Sequence, residues 1–263
     1  MTILDTIADY ARQRVAADME ENSLDVLQAL CRERGKANAG KFPFEAALRK
    51  EGVSFICEVK RASPSKGLIA PDFPYVDIAR DYEKAGADCI SCLTEPKWFQ
   101  GSDQIFREIR AKVDIPMLRK DFTVDEYQLY QARLMGADCV LLICALLDGP
   151  TVERYLRICD ELGLSALVEA HDEAEISMAL SAGARIIGVN NRNLKDFSVD
   201  TANSRRLRDM VPPEVLFVSE SGVRTQSDIA PLKAAGVDAV LVGETLMRAA
   251  DKTAKLAELR GAP

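Results

Sequence analysis

One phrase occurs four times along this 263-residue chain: Ala85-Gly86-Ala87-Asp88-Cys89-Ile90, Met135-Gly136-Ala137-Asp138-Cys139-Val140, Ala182-Gly183-Ala184-Arg185-Ile186-Ile187 and Ala235-Gly236-Val237-Asp238-Ala239-Val240. Its glycines stand 50, 47 and 53 residues apart. Each copy reads as the end of an amphipathic helix, a glycine stop and a short apolar β-branched run, the way a helix hands the chain to a buried parallel strand. A period of that length holds two strand-helix units, so each repeat must contain a second strand. Phe55–Lys60, Met117–Lys120, Ala166–Ala170 and Leu216–Ser219 supply the four, each a brief apolar run between turn signals.

Eight strands alternating with helices match the closed (β/α)8 or TIM barrel, whose usual size is about 250 residues. The competing α/β architecture, an open doubly wound sheet, normally carries a Gly-x-Gly-x-x-Gly turn after its first strand; here that strand runs into Arg61-Ala62-Ser63-Pro64. Residues 1–263 are therefore read as one barrel domain, of which 1–48 are an N-terminal helical extension. Within the extension Leu4–Met19 and Ser23–Arg34 have helical apolar spacing, and Lys36–Lys41 reads as a linker. So short a segment is expected to pack on the barrel, either as a plain covering helix or as a lid over the mouth.

Hydrophobic residues at 48% and charged ones at 29% describe a globular domain with one substantial core. A net charge of −7 argues against nucleic acid or an anionic membrane as partner, so an anionic ligand must be held by local positive groups. No apolar run approaches the eighteen or so residues that span a bilayer, and Met1-Thr2-Ile3-Leu4-Asp5 lacks the order of a signal peptide, which makes the cytoplasm the expected compartment. The seven cysteines are odd in number and scattered, most of them in or beside predicted strands, and read as small core residues. Cys89 and Cys92 stand three apart in a strand and point to opposite faces, so no metal site is expected. The only histidine, His171, reads as a loop residue.

Barrels work at the C-terminal ends of their strands, and those ends are heavily charged here. Strand one ends Glu58-Val59-Lys60, strand three Arg119-Lys120-Asp121, strand five in Glu169 and strand six Asn190-Asn191-Arg192, while strand seven runs into Glu220-Ser221-Gly222. Residues two apart in a strand share a face, so Glu58 and Lys60 can both enter the mouth, as can Asn190 and Arg192 if the strand continues that far. Buried charges must find opposite partners or a charged ligand, leaving two readings: self-satisfied ion pairs capping the barrel, or a site. Glycines after the last two strands, in Ser221-Gly222 and Gly243-Glu244, suit a phosphate bound by loop and helix-start amides.

Taken together, Glu58-Val59-Lys60-Arg61-Ala62-Ser63-Pro64-Ser65-Lys66-Gly67, Leu118-Arg119-Lys120-Asp121-Phe122, Leu167-Val168-Glu169-Ala170-His171, Gly188-Val189-Asn190-Asn191-Arg192-Asn193-Leu194 and Val218-Ser219-Glu220-Ser221-Gly222 resemble the indole-3-glycerol-phosphate synthase family of tryptophan biosynthesis. The resemblance covers essentially the whole chain; the first block and Asn-Asn-Arg-Asn-Leu are its most specific parts. Ala170 departs from the bulkier aliphatic common after the glutamate and touches no chemistry.

The resemblance implies a lyase acting on 1-(2-carboxyphenylamino)-1-deoxyribulose 5-phosphate, without a metal or organic cofactor, and a monomer is expected. Ring closure builds negative charge on a ketone oxygen, for which Lys120 is the candidate general acid. Dehydration and rearomatisation need a proton donor and an acceptor, roles for Glu169 and Glu58 in either order. Lys60 or Arg192 holds the substrate carboxylate, Asn190 and Glu220 hold hydroxyls or orient the catalytic groups, Ser63 assists at an anionic end, and Ser221, Gly222, Gly243 and Glu244 take the phosphate. Pro64, Leu93, Phe99, Phe122 and Leu141 are the implied wall for the aromatic ring; Leu141 also reads as plain core. Two other functions fit a charged barrel mouth: a Schiff-base aldolase with Lys120 as nucleophile, and a non-catalytic sugar-phosphate binder.

Overall fold

The structure, a computed structural model, describes residues 2–35, 41–193 and 197–261. Most of the proposed linker, 36–40, and Leu194 of the Asn-Asn-Arg-Asn-Leu block lie outside the described residues. Eight parallel strands form a closed barrel: β1 (Ser54–Val59), β2 (Cys89–Leu93), β3 (Met117–Lys120), β4 (Cys139–Ile143), β5 (Ser165–Ala170), β6 (Ile186–Asn190), β7 (Leu216–Glu220) and β8 (Ala239–Val242). Each pairs with the next, and β8 returns to β1 with Ala239 opposite Ser54. The four strands whose bounds are read from sequence, Phe55–Lys60, Met117–Lys120, Ala166–Ala170 and Leu216–Ser219, agree with these to within a residue at each end, and the other four begin where the repeated phrases put them. The repeat glycines Gly86, Gly136, Gly183 and Gly236 all have left-handed φ, 76° to 89°, which is why a side chain is unwelcome where the helix turns into its strand.

Alternation along the strands separates two cores. Ile56, Cys89, Leu118, Leu141, Leu167, Val218 and Leu241 point inward and fill the barrel. Phe55, Ile90, Cys92, Val140, Val168 and Val240 point outward beneath the helices. Cys89 and Cys92 thus face opposite ways, and all seven cysteines are free and buried. Among the described residues no helix is long and apolar enough to cross a membrane.

The N-terminal extension spans the barrel from mouth to floor. Helix α1 (Ile3–Glu21) starts at a capping box between Thr2 and Asp5 and lies at the mouth, where Arg14 donates to both oxygens of Asp121 at 2.7 and 3.2 Å, one residue past β3. Helix α2 (Leu24–Arg34) runs down the flank, its Arg34 guanidinium donating to the Leu134 carbonyl at 2.8 Å. A third helix, α3 (Pro43–Leu48), closes the floor: Phe44 and Leu48 join the inner core, and Glu45 accepts from Ser165 at the start of β5 and from Arg185 just before β6. The sequence offered no sign of α3, because six residues are too few for helical periodicity to register.

The outer layer is α4 (Tyr75–Lys84), α5 (Asp103–Arg110), α6 (Tyr127–Met135), α7 (Gly149–Leu162), α8 (Glu173–Ser181), α9 (Ala202–Arg208), α10 (Gln226–Ala234), the five-residue α11 (Glu244–Arg248) and α12 (Lys252–Arg260). Between β1 and α4 a small hairpin pairs Ala62–Ser63 with Gly67–Leu68 over the mouth.

Candidate active site

Strand alternation decides which charge enters the barrel and which leaves it. Lys120, last residue of β3, points inward, whereas its neighbour Arg119 points outward and is satisfied by the Gln128 carbonyl at 2.9 Å and Asp103 at 3.1 Å. On β1 the inward residue is Glu58, and Lys60 two positions on returns to the same side and pairs with it. Glu169 of β5, Asn190 of β6 and Glu220 of β7 complete the ring. Every candidate site residue named from the sequence borders one cavity of about 600 Å³ at this end of the barrel.

The centre of the site is a lysine between carboxylates. Lys120 Nζ lies 3.0 Å from Glu220 and 3.2 Å from Glu169, and all three carboxylates of the mouth are at least 97% buried. Burial opposes the ammonium, but Glu220, Glu169 and Glu58 outweigh it and hold Lys120 well above an ordinary lysine. Burial also pushes both glutamates up. For Glu169 the charges of Lys120 and His171 and a 3.3 Å hydrogen bond from Asn190 reverse this, leaving it below the usual carboxylate range. For Glu220 burial wins over Lys120, with Glu169 adding repulsion, and its carboxyl is raised. Two carboxyls sharing one ammonium are thus pushed apart in acidity, the arrangement by which a single site offers an acid and a base together.

Two glycines make room for these acids. A Cβ on Gly188 would stand 2.3 Å from Glu220 Oε1, and one on Gly243 would stand 2.3 Å from Glu58 Oε1. Gly243 therefore has a spatial duty toward Glu58 as well as the backbone duty read from sequence.

At the end of β7, Ser221 has φ 68° and Gly222 φ 97°, two consecutive residues in the left-handed region. Asn191 fixes this turn: its amide donates to the Ser221 carbonyl and to Ser219 Oγ, both at 3.0 Å. Ser221 Oγ donates to Asn190 Oδ1 at 3.0 Å, joining the turn to the carboxylate cluster. Across from it, Gly243 precedes α11, and the Glu244 carboxylate is neutralised by Arg248 at 3.1 Å and Lys66 at 3.7 Å.

The family model for indole-3-glycerol phosphate synthase matches residues 4–259. A protein of that name from Ruminiclostridium cellulolyticum is 56% identical over 260 residues, covering 98% of this chain and 99% of its own. The chain belongs to the indole-3-glycerol phosphate synthase family. A second relative of the same name, from Leuconostoc mesenteroides, is 49% identical over 262 residues with 98% and 99% covered. Among solved structures, thiamine phosphate pyrophosphorylase from Pyrococcus furiosus superposes with a TM-score of 0.62 at 19% identity, covering 81% of this chain and 96% of its own. 3-Hexulose-6-phosphate synthase from Salmonella typhimurium does so with 0.64 at 15% identity, covering 80% and 97%. At these identities the likeness is one of fold alone.

The apolar flank of this indole-3-glycerol phosphate synthase family member is built from Pro64, Leu93, Phe99, Phe122 and Leu141, with the Phe99 and Phe122 rings 6.2 Å apart. Glu95, fully buried, shapes it by accepting from the N–H groups of Lys97, Trp98 and Phe99 at 2.7 to 2.9 Å. Trp98, the only tryptophan, packs edge-on against Tyr10 of α1 at 5.5 Å and so serves the helix seam. Ile3, Leu4 and Ile7 of α1 complete the flank. Sequence reasoning missed them because an apolar stripe that lines a cavity has the same spacing as one that packs on a barrel. Strand β6 stops at Asn190, so Arg192 is placed by an isolated bridge to Val199, its guanidinium donating to the Phe197 carbonyl at 3.2 Å. His171 lies in the bend that directly follows β5, as the loop reading expects, and it has acidic partners there.

Proposed function

We propose that the chain closes the indole ring of indole-3-glycerol phosphate from 1-(2-carboxyphenylamino)-1-deoxyribulose 5-phosphate, with loss of carbon dioxide and water, as a carboxy-lyase of tryptophan biosynthesis. The observation that carries the mechanism is the Lys120 ammonium held at 3.0 and 3.2 Å from two carboxylates of opposed acidity. The aromatic carbon bearing the carboxylate attacks the ketone, and the C=O electron pair moves to oxygen, which takes a proton from Lys120. Carbon dioxide then leaves as a neutral gas, its electron pair restoring the aromatic ring. Lys60 or Arg192, both bordering the cavity, is the cation that holds that carboxylate until it departs. Loss of the hydroxyl as water takes a proton from one acid, and the adjacent methylene gives a proton to a carboxylate; Glu169, held below the usual carboxylate range beside Lys120, suits the second role, and the family resemblance leaves the first to Glu58.

Asn190 and Glu220 orient Glu169 and Lys120, Ser63 assists at an anionic end, and the phosphate lies on the Ser221, Gly222, Gly243 and Glu244 amides. Pro64, Leu93, Phe99, Phe122 and Leu141 receive the anthranilate ring. One chain supplies all these groups, which supports a working monomer. The seven free thiols support a reducing, cytoplasmic setting.

The test follows indole fluorescence when the purified protein meets this substrate. Lys120→Met and Glu169→Gln are each expected to lower kcat by about 10²-fold or more, since acid-base groups contribute 10²–10⁴-fold. Near-normal turnover in either variant removes that residue from its role. A Schiff base needs a neutral amine, and Lys120 is held charged, so borohydride in the presence of a ketose phosphate is expected to trap no adduct.

A further inference from the structure

Beside the reaction cavity lies a second one of about 420 Å³, bordered by His171, Asp172, Glu175, Asn190 and Asn203. Between the two stands the chain's only imidazole. Its backbone N–H donates to Glu175 Oε2 at 2.7 Å, and Nδ1 faces the same oxygen at 3.3 Å. With a carboxylate on that side, Nδ1 must carry a hydrogen. Nε2 then points at Glu169 Oε1, 3.8 Å away, and makes no hydrogen bond among the described residues. In the neutral tautomer so imposed, a bare nitrogen lone pair would face an ionised carboxylate in a buried space. That repulsion is removed only by a proton shared between Nε2 and Oε1, either as imidazolium with carboxylate or as imidazole with carboxylic acid.

Resting on the reading that Glu169 takes up a proton during turnover, we propose that His171 is the positioning and proton-exchange partner of Glu169, connecting it to the second cavity. The Glu169 Oε1–H bond breaks as Nε2–H forms. Nδ1–H then breaks as its proton passes to Glu175 Oε2, whose side chain is 20% exposed and opens to the second cavity. The separation of 3.8 Å exceeds a hydrogen bond, and catalytic hydrogen bonds commonly tighten on closure around substrate. Charged groups around the ring are Glu169 from β5, Glu175 from α8 and Glu220 from β7, with Lys120 beyond Glu169. Burial works against an imidazolium here, but these acids outweigh it and raise the His171 pKa above the ordinary histidine value.

A lone histidine gives a single imidazole signal, so NMR reads the proposal without substrate. In the wild-type protein the ring-nitrogen shifts above neutral pH are expected to report the Nδ1–H tautomer, and the Cε1–H titration midpoint is expected above 6.5, the unperturbed value. In Glu169→Gln the midpoint is expected to fall by about one pH unit, as for loss of an opposite charge at this range. An Nε2–H tautomer, or a midpoint unmoved in a folded Glu169→Gln protein, overturns the proposal. Should Glu169→Gln fail to fold, His171→Asn decides through kinetics. Its acid limb of kcat/KM is expected to rise by about one pH unit, because Glu169 loses its cation and protonates earlier; a profile lowered evenly at every pH overturns the proposal. Absence of turnover in the wild type would instead count against the reaction, leaving the NMR result standing.

Discussion

At the scale of single residues, two positions without side chains do as much for the site as those with them. Glu220 reaches Lys120 only because Gly188, inward on β6, presents no Cβ; one there would meet Glu220 Oε1 at 2.3 Å and Leu167 Cδ1 at 3.0 Å. The added methyl must displace the carboxylate or the core. Gly188→Ala is therefore expected to lower kcat about 10²-fold, the scale of losing one member of an acid-base cluster, with the barrel still folded by circular dichroism. A kcat near the wild-type value would show that Glu220 tolerates the shift. Gly188 was legible in principle, since a glycine inside an apolar strand signals close approach of another group. What one strand cannot disclose is which group approaches: Glu220 comes from the next strand, 32 residues on, and only the register that sets Gly188 opposite Val218 and Asn190 opposite Glu220 brings them together.

At the scale of elements, α1 is the piece whose function depends most on one tie. Asp121 is 2% exposed and held by Arg14, Thr94 and Arg119, the last at 3.8 Å. Burial would push its carboxyl up; Arg14 and Arg119 reverse that and hold it below the usual aspartate range. Arg14→Ala leaves the carboxylate with fewer partners and is expected to cost about 2 kcal/mol in urea unfolding at pH 7, within the range for hydrogen bonds to charged groups. Because the folded pKa is depressed, the pair's contribution is complete above the unfolded value near 3.8 and is lost as pH falls through the lower folded one. The gap between wild type and variant should thus persist at neutral pH and close only in strong acid. A loosened α1 also withdraws Ile3, Leu4 and Ile7 from the apolar flank, so KM should rise more than kcat falls; an unchanged KM would make α1 a cover and not a wall. The eight strands and the first two helices were legible because each carries a full period of its pattern. Helix α3 and the hairpin Ala62–Ser63 with Gly67–Leu68 were not, being shorter than any period. That α1 reaches the mouth follows from Arg14 meeting Asp121 across 107 positions, a pairing no local pattern encodes.

At the scale of the whole molecule, the closed sheet and its helical strap should come apart in a definite order. Every strand is hydrogen-bonded on both sides, with β8 returning to β1, so no edge is available from which to peel the barrel. The flank helix α2 has no such protection. It rests on α6, and its outward Val26 and Leu30 are more than 40% exposed. The seven buried thiols report on both parts. Cys31 belongs to α2, its thiol contacting the Tyr130 carbonyl of α6 at 3.7 Å; Cys57, Cys89, Cys92 and Cys139 belong to β1, β2 and β4. Burial raises all of these thiols, which suppresses the reactive thiolate until the segment opens. Local opening free energies run from near zero at loosely held segments up to the global value in core strands. Alkylation in increasing sub-denaturing urea, read by peptide mass spectrometry, should therefore modify Cys31 first and the four strand cysteines only at higher urea. A strand cysteine reacting ahead of Cys31 would mean that the barrel opens beneath its strap, and that closure of the sheet contributes less to stability than the packing of α2 on α6.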